Sequence, residues 1–206
     1  GVTFRVEPGE LLAIIGPNGA GKTTTMRALA GIIPASRGRL SIAGFDVGVD
    51  AIAAKARLAF VPDDAPLFHD LTVEEHLSFY ASVYQVSDAR SKALGLLGQF
   101  DLTGKLRTTA SNLSRGMGQK LAICCAYLHD PQAILFDEPL TGLDPQGIRW
   151  LRDFLRSLAA EGRAVLVSSH VLAEVSQTAD EVVVINHGRS VAQATLAELT
   201  AQGGGG

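Results

Sequence analysis

Glycines at positions 16, 19 and 21, followed at once by Lys22 and Thr23, form the stretch Gly16-Pro17-Asn18-Gly19-Ala20-Gly21-Lys22-Thr23, directly after the apolar run 11–15. That run reads as a buried strand, and G-x-x-x-x-G-K-[ST] behind a strand is the pattern of a loop that cradles phosphates. Glycine permits backbone conformations closed to other residues, so successive N–H groups turn inward at the start of the next helix. Lys22 adds a positive charge for the outer phosphates. Thr23 supplies a hydroxyl for the Mg²⁺ that accompanies a nucleotide, an ion that prefers oxygen ligands shared with water and phosphate. A plain glycine-rich turn between strand and helix is the bland alternative. Four fixed positions in the right strand context favour a nucleoside-triphosphate site, with ATP and Mg²⁺ as its expected occupants.

A chain of 206 residues buries one sizeable core without disulfides or metals. Its apolar fraction is 47%, and no run nears the ~18 apolar residues of a membrane-spanning helix, so a soluble chain with no direct membrane insertion is expected. Net charge is −3 with Lys and Arg dispersed, which argues against a nucleic-acid partner. The two cysteines, Cys124 and Cys125, are adjacent inside an apolar segment. Their spacing fits no zinc or redox motif, and they read as small core residues of a helix in a reducing compartment. The chain starts at Gly1 within an apparent strand and ends in Gly203-Gly204-Gly205-Gly206. Both ends are therefore expected to be cuts or processing boundaries.

Short apolar runs alternate with helical patterns, which predicts an α/β fold with a mostly parallel sheet. Strands are expected over 2–6, 11–15, 39–42, 58–61, 133–136, 164–167 and 182–185. The turn Glu7-Pro8-Gly9-Glu10 should make the first two antiparallel neighbours, an antiparallel N-terminal part. Between Pro62 and Pro131 only helix signals occur. Thr72-Val73-Glu74-Glu75 is a capping box opening a helix to about residue 84, with further helices over 88–99 and 114–128. The expected organisation is a core of 1–62 and 131–206 with an inserted helical subdomain, 63–130.

The run 133–136 is uniformly apolar, as a strand covered on both faces must be, and ends in Asp137-Glu138-Pro139. Ligands bind at that edge of open α/β sheets. Asp137 is placed to hold Mg²⁺ through water and Glu138 to polarise a water attacking the terminal phosphate. An acidic loop that merely ends a strand is the competing reading. Farther upstream, Leu113-Ser114-Arg115-Gly116-Met117 precedes the cysteine-bearing helix. Ser114 stands at its N-cap, and such a helix end can bind phosphate or simply be capped.

The order of these elements, a phosphate loop, a helical insert ending in Leu-Ser-x-Gly, then an apolar strand with Asp-Glu, resembles the ATP-binding subunits of ABC transporters. The likeness covers nearly the whole chain: Gly16 to Thr24 as Walker A, Leu113 to Met117 as the signature, Ile134 to Glu138 as Walker B, Leu143-Asp144 as the D-loop and His170 as the switch histidine. Most similar are bacterial ATPases that drive multidrug or polysaccharide-type exporters. The resemblance implies a P-loop NTPase fold of ABC type in a single domain, 1–206. It also implies an ATPase that couples ATP-driven dimerisation to substrate movement through a separate membrane permease. The subunit would then be cytoplasmic, held at the inner face of the membrane by that permease. A non-transport ABC module, or an ATP-binding switch with little turnover, is the alternative.

By the same resemblance, two ATPase subunits pair head to tail, as a homodimer or with a paralogue. Gly16, Pro17, Asn18, Gly19, Ala20, Gly21 and Lys22 would wrap the phosphates, Thr23 would ligate Mg²⁺, and Thr24 would reach the α-phosphate side. Ser114 and Gly116 would close on the γ-phosphate bound to the partner. Glu138 would be the general base, with His170 aligning the γ-phosphate and water. Asp144 would bridge the two sites, while Asp144-Pro145 also reads as an N-cap followed by proline at the first helical position.

Three departures from the family pattern stand out. Pro62-Asp63 replaces the usual glutamine, which puts a carboxylate at the Mg²⁺ and coupling position; Asp63 accepts a metal-bound water but donates nothing. Arg115 and Met117 replace glycine and glutamine in the signature, and Arg115 either adds charge near phosphate or faces solvent. The aromatic residue that stacks on adenine lies upstream of this chain in the family, and Phe4 reads as core.

Overall fold

The computed structural model describes residues 1–64, 66–195 and 198. The terminal glycines 203–206 lie outside them. The chain divides into two compact units, one of Gly1–Asp63 with the chain from Gln132 onward, the other Asp64–Pro131.

The first unit is built on six strands: β1 (Leu11–Ile15), β4 (Leu58–Val61), β5 (Ala133–Phe136), β6 (Ala164–Ser169), β7 (Glu181–Asn186) and β8 (Arg189–Thr195). Their spatial order is β4-β5-β6-β1-β7-β8, parallel except for the last pair. Uniformly apolar β1 is buried at every position, as a strand covered on both faces requires. Leu12 and Ile14 pack with Met26, Leu58, Leu135, Leu166 and Val183 in one core. Around the sheet run α1 (Lys22–Leu29), α2 (Ala51–Lys55), α6 (Pro145–Ala160) and α7 (Leu172–Val175). The N-cap of α6 is Asp144, whose Oδ1 accepts from Gly147 N–H at 2.7 Å, with Pro145 beginning the helix.

Residues 2–6 do not form the expected antiparallel strand. Parallel β6 and β7 occupy both edges of β1, so no edge remains for them. Val2, Phe4 and Val6 nonetheless pack on the core, which accounts for the strand-like alternation and keeps Phe4 a core residue. Antiparallel pairing in the N-terminal part comes instead from β2 (Ser41–Ile42) and β3 (Phe45–Asp46), a separate hairpin. Its two-residue turn, Ala43-Gly44, has positive φ at both positions (49° and 84°), the twist that suits a tight hairpin.

In the second unit α3 (Val73–Val83), α4 (Ala89–Gln99) and α5 (Arg115–Tyr127) pack on one another. The capping box forms in full. Thr72 Oγ1 accepts from Glu75 N–H at 3.2 Å and Glu75 Oε2 from Thr72 N–H at 2.8 Å. The Thr72 backbone and hydroxyl donors hold the Glu75 carboxyl below its ordinary pKa. Asp88, by contrast, precedes α4 in a left-handed conformation and gives no side-chain cap. Cys124 and Cys125 are buried free thiols, and burial pushes Cys124 up to about 12 and Cys125 higher still. At such values neither supplies thiolate at neutral pH, as expected of core residues. Among the described residues no helix is long and apolar enough to cross a membrane.

Candidate functional site

Parallel register brings three strand ends to one edge. Ile15 pairs with Ser169, and Phe136 with Val167, so Gly16, Asp137 and His170 follow the strands at the same edge of the sheet. The phosphate loop turns there. Gly19 and Gly21 take φ of 79° and 106°, where a side chain is strained, and Lys22 opens α1. Gly188 N–H, from the β7–β8 turn, donates to Ala20 O at 2.8 Å and fixes the loop from outside. A Cβ on Gly16 would stand 2.3 Å from the Ile185 carbonyl oxygen, a backbone atom of β7. Gly16→Ala is therefore expected to destabilise the fold by about 1–3 kcal/mol and to displace the loop. The check is a thermal melt beside an ATP titration; wild-type values in both would contradict the close packing.

Lys22 is buried, and its ammonium spends its donors on Gly16 O (2.8 Å), Pro17 O (3.4 Å) and Glu138 Oε1 (3.0 Å). The other Glu138 oxygen, Oε2, lies 2.9 Å from His170 Nδ1. Since the carboxylate only accepts, the His170 proton on this side sits on Nδ1. Glu138 itself has φ of 48°, a left-handed conformation that costs a non-glycine residue about 1–3 kcal/mol and turns its side chain toward the cleft. Asp137 is 3% exposed, and Ser168 Oγ donates to its Oδ1 at 2.6 Å.

Lys22, Glu138 and His170 border a cleft of about 430 Å³. Asn18, Gly19, Gly21, Lys22, Thr23 and Thr24 line it from the loop side, with Asp63, Glu138, Thr141 and His170 opposite. Gly16, Pro17 and Ala20 of the loop, and the buried Asp137, are not among the lining residues. Ser114 and Gly116 belong to the helical unit, at the start of α5, where exposed Ser114 accepts from Met117 N–H at 3.3 Å. A Cβ on Gly116 would meet nothing within 4 Å. Sequence reasoning missed Thr141 and Ser168. The signal for Ser168 was a hydroxyl continuing the apolar strand β6.

The donor set suits Mg²⁺. Thr23, Asp63, Glu138 and Thr141 present oxygens to one cleft, and the buried Asp137 adds a carboxylate next to Glu138 at the end of β5. Among the described residues no three His, Cys, Asp or Glu side chains gather into a metal cage. An ion here would keep water and substrate oxygens, as Mg²⁺ does in nucleotide sites.

Residues 1–141 match the ABC transporter family. The linearmycin resistance ATP-binding protein LnrL of Bacillus subtilis (strain 168) is 30% identical over 207 residues, covering 100% of this chain and 67% of that protein. The Nod factor export ATP-binding protein I of Paraburkholderia xenovorans (strain LB400) is 37% identical over 203 residues, covering 98% and 67%. The chain thus spans about two thirds of the length of these relatives. A solved ATP binding subunit of an ABC transporter superposes with a TM-score of 0.89 at 36% identity, over 98% of this chain and 85% of that one. The loop at the end of β1, the carboxylates at the end of β5 and these matches agree: the chain belongs to the ABC transporter family as an ATP-binding subunit, an ATPase.

Proposed function

We propose that this subunit hydrolyses ATP in the cleft between the phosphate loop and Glu138 to drive export through a separate membrane permease. The observation that carries the assignment of the site is the chain of contacts Lys22–Glu138–His170, which links the phosphate loop to the far side of the cleft at 3.0 and 2.9 Å. The loop N–H groups from Gly16 to Thr24 and the Lys22 ammonium bind and orient the phosphates. Glu138 takes a proton from the attacking water, and His170, donating from Nδ1, keeps that carboxylate aimed. Thr23 and, through water, Asp137 and Asp63 would hold Mg²⁺, which when bound would supply positive charge to the phosphate oxygens.

Two such subunits pair head to tail. Exposed Ser114, the open space over Gly116 and the positive end of the α5 dipole support a phosphate contact made in trans, with each signature closing the partner's cleft. Export is favoured by the names of the relatives, which concern linearmycin resistance and Nod factor export. The permease holds the subunit at the cytoplasmic face of the membrane.

The permease docks on the segment 66–71 of the helical unit. There Phe68 is 49% exposed and meets Phe79, itself 45% exposed, edge to face at 5.4 Å between centroids. Such an apolar pair offers a partner helix contact area at the unit's surface. Phe68→Ser is expected to cut permease co-purification at least tenfold while the isolated subunit hydrolyses ATP at its usual rate. Full retention of the permease after this change would count against the docking surface.

A further inference from the structure

We infer that Ser168 is a positioning residue that aims both carboxylates of the hydrolytic site through a single hydroxyl. The β5–β6 ladder ends at the pair Phe136↔Val167, while β6 continues against β1 through Ser168 and Ser169. Where β5 turns away, Ser168 Oγ adds one more rung. It accepts from Glu138 N–H at 2.9 Å and donates to Asp137 Oδ1 at 2.6 Å. An amide N–H only donates and a carboxylate only accepts, so the one hydroxyl proton is committed to Asp137. The side chain is fully buried, which strengthens its bond to the buried Asp137 carboxylate.

The first bond pins the backbone of Glu138 in its left-handed conformation, φ 48°, which sends the carboxylate between Lys22 and His170. The second fixes the rotation of Asp137, whose carboxyl is otherwise shielded inside the protein. Ser168 is buried and is not among the residues that line the cleft. It acts through its two neighbours, as groups behind a metal or catalytic ligand commonly do. The inference rests on the reading of Glu138 as the general base.

The test compares Ser168→Ala and Ser168→Thr with the wild-type chain, measuring kcat, KM for ATP, and the affinity for a fluorescent ATP analogue with Mg²⁺ and with EDTA. Ser168→Ala is expected to lower kcat at least tenfold, to change KM by less than threefold, and to erode the Mg²⁺-dependent gain in analogue affinity while leaving the EDTA value unchanged. Ser168→Thr, which keeps the hydroxyl, should recover most of kcat. Should Ser168→Ala fail to fold, judged by its thermal melt, Ser168→Cys is measured instead, with the same kcat loss at unchanged KM expected. A kcat within twofold of wild type with intact Mg²⁺ dependence would overturn the inference. Glu138→Gln serves as the separating control: hydrolysis persisting in that variant overturns the general-base reading itself, whereas its loss beside a fully active Ser168→Ala overturns only the role of Ser168.

Discussion

Glu138→Gln is expected to reduce steady-state ATP hydrolysis by about two to four orders of magnitude, the usual contribution of a positioned general base. The substitution is nearly isosteric, and the amide oxygen still accepts from Lys22 or His170 across the 3.0 and 2.9 Å contacts seen for the carboxylate. Binding is thus preserved while the proton acceptor is lost. Removing the negative charge beside Lys22 also frees that ammonium for phosphate. ATP affinity should rise, and under the head-to-tail arrangement the variant should accumulate as an ATP-bound dimer. Phosphate release and sedimentation with and without ATP check the two halves of the expectation.

Lys22→Ala has the opposite signature. The ammonium is 5% exposed and holds Gly16 O, Pro17 O and Glu138 Oε1. Its loss removes the cation aimed at the transferring phosphoryl group, worth about a hundredfold or more in rate, together with much of the ATP affinity. Stability should fall by no more than about 3 kcal/mol, because the cleft admits water to the carbonyls and carboxylate left behind. Isothermal titration and a thermal melt separate the effects. A folded variant with wild-type ATP affinity would contradict the placement of the phosphates beside Lys22. Failure of Lys22→Ala to bind, set against tighter binding by Glu138→Gln, distinguishes a cradle from a base.

Much of this site was legible because its parts are local in sequence. An apolar run followed by Gly16 to Thr23, and another followed by Asp137-Glu138, are each a strand with its loop, and β1 and β5 fall on the expected residues. The capping box at Thr72 needed only three residues of context. What escaped notice depends on who stands beside whom. Residues 2–6 alternate like a strand but meet no free edge, since β6 and β7 take both sides of β1. Strand β8 is mostly exposed and polar, so no periodicity marks it; the paired positive φ of His187-Gly188 makes its hairpin. Ser168 lies 30 residues from the amide it holds, and only the strand register reveals that its hydroxyl finishes the β5–β6 ladder.

Whether Glu138 turns a phosphate-binding cleft into a hydrolytic one is decided by identifying the nucleotide that remains bound after Glu138→Gln protein is incubated with Mg²⁺ and ATP. If Glu138 is the general base, intact ATP is recovered, retained by a dimer through size-exclusion chromatography. Recovery of ADP with phosphate released at the wild-type rate would contradict that role.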